Sequence, residues 1–423
     1  MNASLGAYSQ RVDIGVIGLG YIGLPTAVVL ADNFDVVAGY DIDDARRRFV
    51  ENAVAPFVEP GLDQLLKKAV TSGKLVVTDS IATAENYVIA VPTPISEDRS
   101  ADLTYIFSAI ESLAEILRGD ELLIIESTCP PGTTARLVDR IVELRPDLKE
   151  AVDSERMGIA YCPERVLPGN IIEELQSNDR IIGGYTTNAS NRAAKLYSQF
   201  CRGQLWLTDS RTAEMSKLAE NAFRDVNIAF ANQLELLCVQ NEVDVWELRE
   251  LANKHPRVNI LEPGPGVGGH CIAVDPWFLV GAEGNAPLIE SARHLNDSKP
   301  QNISNRIVEL VQSVDEPHIL ALGLAFKENV DDVRHSPAVE VVRIFSEARP
   351  DAEITVIDPL VSVCPSELQG ISNVHFLREM PTDFAGVDVV VALVAHNEFK
   401  DLTLSQFGEV KLVDTRGLFK GSM

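Results

Sequence analysis

The sequence lacks the features that mark membrane-spanning and secreted proteins. Its 423 residues contain no uninterrupted apolar run of about 18 residues, the length that a transmembrane helix needs. Residues 1–10 include neither the basic nor the apolar stretch of a signal peptide. The six cysteines are scattered and form no Cys-x-x-Cys pair, unlike the disulfide framework of a small secreted domain. We therefore expect a cytoplasmic protein with free thiols and no bound metal.

The sequence is also poor in basic residues. Lys and Arg number 37, whereas Asp and Glu number 62, so the formal net charge is −25. Such a chain repels polyanions, and we expect neither nucleic acids nor anionic membranes as partners. A phosphate group must be bound locally, by a few basic side chains and backbone N–H groups. The apolar fraction of 46% is ample for large cores and excludes intrinsic disorder.

Strand-like and helix-like segments alternate over most of the chain. This alternation is typical of a parallel, doubly wound sheet, and the strand-like runs of the first half are residues 12–18, 36–40, 87–91, 121–126 and 158–161. The pattern returns from His318 onward. Between these regions, residues 212–250 contain no Gly or Pro and are helical, either as two helices or as one. The predicted fold class is α/β, with two Rossmann-like parallel-sheet domains joined by a central helical domain, and the predicted domains are 1–205, 206–305 and 306–423.

A glycine turn follows the first predicted strand. Gly18, Gly20 and Gly23 fit the pattern G-x-G-x-x-G between a strand and a helix. The first two glycines permit a tight turn and close approach of a pyrophosphate, and the third lets the helix pack on the strand. Asp41 ends the second strand, where a carboxylate accepts hydrogen bonds from an adenosine ribose and repels a 2′-phosphate. The pattern favours an NAD site over a glycine turn without a ligand.

Two further segments carry residues suited to covalent catalysis. Lys217, Asn221 and Arg224 occupy positions i, i+4 and i+7 of a predicted helix and share one face, which is usually a solvated face. Residues 256–276 form the segment richest in Pro and Gly, and Cys271 lies within it. If a helix begins just after these glycines, its N-terminus lowers the pKa of the thiol, which makes Cys271 a candidate nucleophile.

Polar residues follow two other predicted strands. The carboxyl ends of the strands line the ligand crevice in an open α/β sheet. Glu164 is therefore a candidate base or water-holding residue, or else a surface carboxylate. Thr128 offers a hydroxyl to a ligand, caps the next helix, or does both.

Together these segments resemble the UDP-glucose/GDP-mannose dehydrogenase family of NAD-dependent, four-electron nucleotide-sugar 6-dehydrogenases. The resemblance covers nearly the whole chain and rests on the motifs GLGYIGLP, ESTCPPGT, YCPERVLPG, KLAENAFRDVNIAFANQ, GPGVGGHCIAVDPWF and GLAFKENVDDVRHSP. Within the family, PERVLPG and HCIAVDPWF are most similar to the branch that oxidises UDP-N-acetyl-D-mannosamine to its uronic acid for surface polysaccharides. The resemblance implies an NAD-binding first domain, a central dimerisation domain with the catalytic cysteine, and a C-terminal domain that binds the UDP-sugar.

The resemblance also implies how the catalytic residues act. Cys271 attacks the C6 aldehyde formed by a first oxidation, and the resulting thiohemiacetal is oxidised to a thioester that water releases as the acid. This chemistry needs a thiolate and a cation or amide directed at the oxygen. The resemblance implies that Lys217 and Asn221 stabilise the developing oxyanion or relay a proton. It implies that Asp275 orients or deprotonates groups near the thiol, and that Glu164 and Thr128 position water.

Two sets of ligand-binding residues follow from the same resemblance. NAD is expected at Gly18, Gly20, Tyr21, Ile22, Gly23, Asp41, Arg46, Thr93, Thr128 and Arg334. The UDP-sugar is expected at Arg165, Val166, Lys217, Asn221, Arg224, Gly268, Phe326, Lys327 and Arg416, with His255 and Arg257 reaching it across a homodimer interface. The C-terminal domain has no G-x-G-x-x-G after Gly323, and it is therefore expected to bind UDP rather than a second NAD.

Two positions depart from the glucose branch of the family. Pro168 stands where that branch has a second glutamate, and His270 stands where it often has serine before the nucleophile. Glu164 must therefore act alone or with Thr128, and His270 either tunes the thiol or packs. The alternative substrates are UDP-N-acetylglucosamine and UDP-glucose, and both changes argue against UDP-glucose. The alternative of another class is a two-electron hydroxyacid or sugar-phosphate dehydrogenase, in which Cys271 is dispensable.

Overall fold

The computed structural model describes residues 11–420 except 97, 168, 270, 282–285 and 382–383. The chain divides into two compact units between Ala219 and Glu220. The first unit contains, in chain order, β1 (Val12–Ile17), α1 (Gly23–Asn33), β2 (Val37–Tyr40), α2 (Asp44–Glu51), α3 (Leu62–Thr71), β3 (Leu75–Val77), β4 (Ala84–Ile89), α4 (Thr104–Ala114), β5 (Leu122–Ile125), α5 (Thr133–Leu144), α6 (Lys149–Asp153), β6 (Gly158–Tyr161), α7 (Ile171–Ser177), β7 (Arg180–Gly184), α8 (Thr187–Tyr197), β8 (Leu205–Asp209) and the beginning of α9 (Ser210–Gln240). The second unit continues α9 and adds α10 (Val245–Ala252), α11 (Asp275–Val280), α12 (Pro287–Leu310), β9 (His318–Leu322), α13 (Pro337–Ala348), β10 (Glu353–Ile357), β11 (Val374–Leu377), β12 (Val389–Ala392) and β13 (Lys411–Asp414).

The first unit is built on a sheet with the strand order β3-β2-β1-β4-β5-β6-β7-β8. The strands from β1 to β6 pair in parallel, as predicted. β7, however, is antiparallel to β6, and β8 follows the direction of β7. The prediction of a parallel sheet is wrong for these two strands, because the chain leaves β6 and returns through the short helix α7 at the same end of the sheet.

Helices cover both faces of this sheet. Successive residues of a strand point to opposite faces, so neighbours such as Tyr87 and Val88 enter different cores. The core around Val88 contains residues of α1, α3, α7 and α8, and the core around Tyr87 contains residues of α4, α5 and α6. Burial of each large apolar side chain in these cores contributes about 1.5–3 kcal/mol. The two covered faces confirm the predicted doubly wound α/β arrangement.

The second unit has a smaller, fully parallel sheet with the order β11-β10-β9-β12-β13. One face packs on α12 and α13. The other face packs on Phe399, Phe407 and Phe419, of which the first two lie in short 3₁₀ helices (Asn397–Phe399 and Leu404–Phe407). The second predicted Rossmann-like sheet is therefore present, with helices on one face and aromatic side chains on the other.

The helical segment between the sheets consists of two helices, which decides between the two predicted alternatives. α9 ends at Gln240, and Glu242 has a left-handed φ of 55° that ends the helix. The side chain of Asp244 then caps α10. The first sheet extends to Asp209 and α12 extends to Leu310, whereas the predicted domain boundaries lie at 205 and 305. Among the described residues, no helix combines the length and the hydrophobicity needed to cross a membrane.

Candidate active site

The glycine turn after β1 is closed at two positions and open at one. Gly18 has a φ of 91°, and a Cβ on it would lie 2.4 Å from the carbonyl oxygen of Ala90. A Cβ on Gly23 would lie 1.8 Å from the carbonyl oxygen of Gly18, so α1 can begin there only without a side chain. A Cβ on Gly20 would meet none of the described atoms within 4 Å. The turn therefore leaves room for a ligand at Gly20, beside the N-terminus of α1.

Asp41 is fixed against this turn. Its carboxylate accepts hydrogen bonds from the backbone N–H groups of Leu19 at 2.8 Å and Asp43 at 2.9 Å, and from the guanidinium of Arg46 at 3.1 Å. A carboxylate has about four acceptor positions, so one of them remains for a ligand hydroxyl. The structure thus brings together the predicted NAD residues Asp41 and Arg46.

Other predicted NAD residues lie on loops near the turn. The ring of Tyr21 packs on Phe57 with 4.7 Å between the ring centroids, and its hydroxyl lies 3.5 Å from Glu59. Ile22 is the N-cap residue of α1. Thr93 is half-buried in the segment after β4, which pairs with β1, so both strands end at the same edge of the sheet. Sequence reasoning did not identify Phe57, whose ring is tilted by 45° against that of Tyr21, as its contact partner.

Glu164 points into the protein, so the alternative of a surface carboxylate is wrong. The side chain is 8% exposed, and its carboxylate accepts hydrogen bonds from the Arg165 N–H at 2.6 Å and the Arg180 guanidinium at 2.8 Å. Its backbone carbonyl oxygen accepts a hydrogen bond from the buried ammonium of Lys217 at 2.8 Å. The structure therefore joins Glu164 and Lys217 through the backbone of Glu164, and Lys217 does not lie on a solvated face.

Two buried charges beside Glu164 were missed by sequence reasoning. The guanidinium of Arg180 lies 3.8 Å from the carboxylate of Glu126, which also accepts a hydrogen bond from the hydroxyl of Tyr197 at 2.6 Å. Burial raises the pKa of Glu126 to about 7, although Arg180 opposes this shift. Burial disfavours the charge of Arg180, but attraction to Glu164, Tyr197 and Glu126 outweighs burial and raises its pKa. The sequence does contain a signal for this pair, because Glu126 and Arg180 each adjoin an apolar strand, where a charged side chain needs a buried partner.

A distant carboxylate, rather than Thr128, caps the helix after β5. Glu214 accepts hydrogen bonds from the N–H groups of Gly132 at 2.5 Å and Thr134 at 2.7 Å at the start of α5. Burial raises the pKa of this carboxylate. The alternative that Thr128 caps the helix is therefore wrong. Thr128 lies half-buried in the loop after β5, where a ligand-binding role for its hydroxyl stays a prediction.

Asn221, Asp275 and Cys271 come together in the second unit. The side-chain amide of Asn221 donates a hydrogen bond to the buried carboxylate of Asp275 at 2.6 Å. The backbone N–H of Asp275 donates to the carbonyl oxygen of Cys271 at 2.8 Å. Cys271 is exposed, whereas Cys129 and Cys238 are buried. The helix α11 begins at Asp275, four residues after Cys271, so the condition stated for a helix effect on the thiol, a helix that begins just after the glycines, is not met.

The loop before Cys271 packs on predicted UDP-sugar residues. A Cβ on Gly268 would lie 2.9 Å from the Cβ of Phe326. Gly269 has a φ of 79°, lies against the Phe326 ring and donates its N–H to the carbonyl oxygen of Arg334 at 3.2 Å. These close approaches explain the need for glycine at both positions. The loop therefore connects the segment of Cys271 to the segment of Phe326 and Arg334.

The remaining predicted residues are distributed around these contacts. The guanidinium of Arg416 lies 3.4 Å from the carbonyl oxygen of Pro263, at the start of the same loop. In the first unit, Arg165 donates to the carbonyl oxygen of Asp179 at 3.1 Å, and Val166 packs on the core. The side chains that lie exposed are Arg224, His255, Arg257, Lys327 and Arg334. Pro168 and His270 lie outside the described residues, so the inferences about them stay predictions.

Models of one protein family match the chain in three consecutive segments. The NAD binding domain of the UDP-glucose/GDP-mannose dehydrogenase family matches residues 12–201, the central domain matches 211–298, and the UDP binding domain matches 320–421. The chain belongs to the UDP-glucose/GDP-mannose dehydrogenase family. The resemblance seen in the sequence is confirmed. The protein is an NAD-dependent oxidoreductase, and its substrate is a UDP-sugar.

Similar proteins include several that are named for N-acetylated amino sugars. The dehydrogenase is 46% identical to NDP-N-acetyl-D-galactosaminuronic acid dehydrogenase of Ralstonia solanacearum, over 96% of each chain. It is 44% identical to UDP-N-acetyl-D-mannosamine dehydrogenase of Yersinia pestis, over 96% of this chain and 99% of the relative. The solved structure of UDP-D-ManNAc dehydrogenase from Pyrococcus horikoshii matches with a TM-score of 0.85 and 38% identity, over 97% of this chain and 96% of that chain.

The described residues fit the cofactor of this family. The open position at Gly20 gives the pyrophosphate access to the backbone, and the N-terminus of α1 favours its negative charge. The remaining acceptor position of Asp41 suits a ribose hydroxyl and disfavours a 2′-phosphate. The predicted preference for NAD is thereby given a structural basis.

Proposed function

We propose that this dehydrogenase oxidises the C6 hydroxyl of UDP-N-acetyl-D-mannosamine to UDP-N-acetyl-D-mannosaminuronate, in two steps that share a covalent intermediate on Cys271. The observation that carries the proposal is the grouping of Cys271 with the buried pair of Asn221 and Asp275. The two-electron alternative assigns no role to Cys271. The relatives that act on N-acetylated amino sugars support the choice of substrate.

Cys271 is the nucleophile in this proposal. Its exposed thiol is accessible to an aldehyde at C6, and its thiolate adds to the aldehyde carbon to give a thiohemiacetal. NAD, when bound, supplies a hydride acceptor for each of the two oxidations. The second oxidation leaves a thioester, which water cleaves to the acid and the free thiol. Asp275 holds the amide of Asn221 by a 2.6 Å hydrogen bond and so fixes one donor for the oxyanion.

Lys217 supplies the positive charge in the proposal. An ammonium group has three N–H donors, and one of them bonds to the backbone carbonyl oxygen of Glu164. The others are assigned to the developing oxyanion or to proton relay. Glu164 and Thr128 are assigned to the water that cleaves the thioester. The Glu164 carboxylate keeps acceptor positions for that water, because its two recorded donors occupy two of about four positions.

The proposal keeps the predicted sites for both ligands. NAD is assigned to Gly18, Gly20, Tyr21, Ile22, Gly23, Asp41, Arg46, Thr93, Thr128 and Arg334, and the UDP-sugar to Arg165, Val166, Lys217, Asn221, Arg224, Gly268, Phe326, Lys327 and Arg416. The three predicted domains and the cytoplasmic location are also retained as proposals. Phe326 and Arg416 are supported by their contacts with the loop that leads to Cys271.

We propose a homodimer that forms through α9. Phe223, Phe230 and Leu237 recur at seven-residue spacing on this helix and are 68%, 53% and 44% exposed. A stripe of large apolar side chains at this spacing suits helix pairing with a second copy of the chain. His255 and Arg257 are exposed and are assigned to the substrate site of the partner. Light scattering should give the dimer mass for the wild type and the monomer mass for F230E, whereas a wild-type monomer would contradict this part of the proposal.

The stoichiometry of the reaction tests the chemistry. Incubation with a limiting amount of UDP-N-acetyl-D-mannosamine and excess NAD should yield about two NADH per sugar, because both oxidations occur on one molecule. C271S should lose acid production by about 100-fold or more, whereas the control C364S should keep wild-type turnover. One NADH per sugar with the aldehyde as the product, at a rate unchanged in C271S, would support the two-electron alternative. If the protein oxidised no UDP-sugar at all, the proposal would be contradicted.

The sugar is tested by comparing kcat/KM among epimers. UDP-N-acetyl-D-mannosamine should give the highest value, ahead of UDP-N-acetylglucosamine and UDP-glucose. UDP-N-acetylgalactosamine is a second candidate, because the relative from Ralstonia solanacearum is 46% identical and is named for the galactosaminuronic acid. A higher kcat/KM for that sugar would replace the substrate and leave the chemistry unchanged. A few pocket contacts decide such a choice, and each is worth about 1–3 kcal/mol.

A further inference from the structure

A buried charged cluster lies behind Glu164. We define the Arg180 cluster as Glu126, Glu164, Arg180 and Tyr197, each of which is at most 8% exposed. Glu126 follows β5, Glu164 follows β6, Arg180 begins β7 and Tyr197 ends α8. Burying charges is costly unless they are paired and hydrogen-bonded. The dehydrogenase therefore keeps these charges at a cost to stability, which calls for a role in the site.

The reversed direction of β7 creates this cluster. In the antiparallel pairing of β6 with β7, Ala160 is opposite Gly184 and Tyr161 is opposite Gly183. Continuing this register by three residues places Glu164 directly opposite Arg180. A parallel β7 would begin at the other edge of the sheet and would carry Arg180 away from Glu164. The topology that sequence reasoning did not predict is thus the feature that brings the pair together.

Arg180 is held in one orientation by its surroundings. Its guanidinium lies over the ring of Tyr197 at 4.7 Å and over the ring of Phe200 at 5.7 Å. One nitrogen donates to the carboxylate of Glu164 at 2.8 Å, and another lies 3.8 Å from the carboxylate of Glu126. Two aromatic faces and two carboxylates define the plane and the position of the cation. Arg180 is therefore a fixed support for the Glu164 side chain.

The position of the Glu164 side chain determines the position of Lys217. The carboxylate of Glu164 is bound on one side by Arg180 and on the other by the backbone N–H of Arg165. The second bond ties the side chain to the backbone next to the carbonyl oxygen that accepts the hydrogen bond from Lys217. We therefore expect a movement of Arg180 to shift this acceptor, which orients the ammonium.

We propose that Arg180 is a positioning residue of this dehydrogenase, which orients Lys217 through Glu164. Glu126 and Tyr197 support it from the opposite side. Arg180 touches neither ligand in this proposal and acts only through Glu164. The inference rests on the proposed function for the roles of Glu164 and Lys217, whereas the geometric link between Arg180 and Lys217 stands independently of the substrate.

The first test compares R180K with a matched control. Lysine keeps the charge but loses the planar guanidinium that fits between the two rings and bonds the carboxylate. We expect kcat to fall about 10–100-fold, because a small displacement of a catalytic group has an effect of this size. KM and the Kd for NAD should stay within about threefold of wild type. The control is R192K, which alters a half-buried arginine of the same unit. Among the described residues, Arg192 donates hydrogen bonds only to the backbone carbonyl oxygens of Arg156 and Asp120. R192K should retain the wild-type kcat.

A double variant keeps the proposal testable if R180K does not fold. R180Q/E164Q removes both charges of the pair, and the two amides can still bond to each other. If Arg180 acts through Glu164, its kcat should equal that of E164Q within about twofold. A further loss on top of E164Q would overturn the proposal, because it would show a role of Arg180 that does not pass through Glu164.

A crystal structure of R180K or of the double variant separates this inference from the proposed function. We expect the distance from the Lys217 ammonium to the Glu164 carbonyl oxygen to exceed its present 2.8 Å. An unchanged distance would overturn the positioning role, even if turnover were reduced. If the wild-type enzyme oxidised no UDP-sugar, the proposed function would fail, and this distance would still decide the link between Arg180 and Lys217.

Discussion

The two sheets of this dehydrogenase contain nearly the same glycine turn, but the turns have different uses. Gly18 and Gly323 each have a φ of 91°. Each donates its backbone N–H to the end of the neighbouring strand, Gly18 to Tyr40 at 2.8 Å and Gly323 to Ile357 at 2.7 Å. An aspartate follows that strand in both sheets, as Asp41 in the first and Asp358 in the second. The geometry of the turn therefore does not explain why the two sheets have different uses.

The two sheets differ in how many acceptor positions of the aspartate carboxylate are filled by hydrogen bonds from the protein. Asp41 accepts three recorded hydrogen bonds and keeps an acceptor position. Asp358 is fully buried and accepts backbone N–H groups from residues 324, 325, 360 and 361, and it also pairs with the ring of His396 at 3.2 Å. Its acceptor positions are filled. The aspartate of the first sheet is therefore available to a ribose, and that of the second sheet holds the fold.

The residues after the two turns support the same division. α1 begins at Gly23, five residues after Gly18, and directs its N-terminus at the turn. After Gly323, the backbone N–H groups of Leu324 and Ala325 bond to Asp358, and the next helix begins only at Pro337. In the second turn, the backbone N–H groups of residues 323–325 are thus all bound to Ile357 and Asp358. The family model that matches this sheet is that of a UDP binding domain.

The largest expected effect is the loss of stability in D358A. Removing this carboxylate leaves several buried N–H groups and His396 without their acceptor, at a cost of about 3–5 kcal/mol in the free energy of unfolding. Urea unfolding measures this loss. D351A, at an exposed ion pair with Arg349 in the same unit, should leave the unfolding curve close to that of wild type. A loss below about 1 kcal/mol for D358A would show that the second turn does not need its aspartate.

A second prediction compares two buried carboxylates whose pKa values shift in opposite directions. Burial raises the pKa of Glu126 to about 7, so its contribution to stability is complete below about pH 4.5 and is lost as pH rises toward 7. Burial also disfavours the charge of Asp358, but hydrogen bonds from His396 and the backbone outweigh burial and lower its pKa. Its contribution is present above about pH 3.8 and is lost only in acid.

Unfolding between pH 5 and pH 8 measures this contrast. Relative to E126Q, the wild type should lose up to about 1.4 kcal/mol of unfolding free energy per pH unit as pH rises toward 7. The difference between wild type and D358N should stay constant over the same range. If the difference in unfolding free energy between wild type and E126Q were also constant from pH 5 to pH 8, Glu126 would be ionised over this whole range, as Asp358 is.

Sequence patterns predicted the central strands well and the edge strands poorly. The first five predicted strands and the turn at Gly18 are present, because each of these strands has a largely apolar stretch that is buried on both faces. β3, β8 and β11 were missed, and they are short strands at the edges of their sheets, whereas β7 was missed although it lies between β6 and β8. β8, for example, begins with three apolar residues but leaves Trp206 and Leu207 exposed. Periodicity also carries no information about strand direction, so the reversal of β7 was not predictable.

Within the candidate site, local motifs were predicted and long-range pairs were not. Asn221 and Cys271 stand in segments whose spacing and glycine content are visible in the sequence. Arg180 and Glu126 are separated by more than fifty residues, and their contact depends on the order and direction of β5, β6 and β7. The hydrogen bond from the Thr134 N–H to the carboxylate of Glu214 at the start of α5 likewise joins residues that are far apart in the sequence. Such contacts follow from topology and not from spacing along the chain.

The third prediction concerns cofactor binding by the first sheet. D41A should raise the Kd for NAD about 10–100-fold, because a hydrogen bond to a charged group contributes about 1.5–3 kcal/mol. It should also reduce the discrimination against NADP, since the repulsion of a 2′-phosphate is removed. Calorimetric titration with both cofactors measures the two effects. An unchanged Kd for NAD would place the ribose away from Asp41 and would remove the contrast with Asp358.

The smallest expected effect is at the open position of the first turn. A Cβ on Gly20 meets none of the described atoms within 4 Å, so G20A should change the free energy of unfolding by less than about 0.5 kcal/mol. The added methyl group lies where a pyrophosphate approaches the backbone, and the Kd for NAD should rise by about threefold to tenfold. G23A is the matched control, because its Cβ would lie 1.8 Å from the carbonyl oxygen of Gly18 and should destabilise the fold. If G20A bound NAD as the wild type does, Gly20 would be only a surface glycine, and the first turn would then differ from the second through Asp41 and the start of α1 alone.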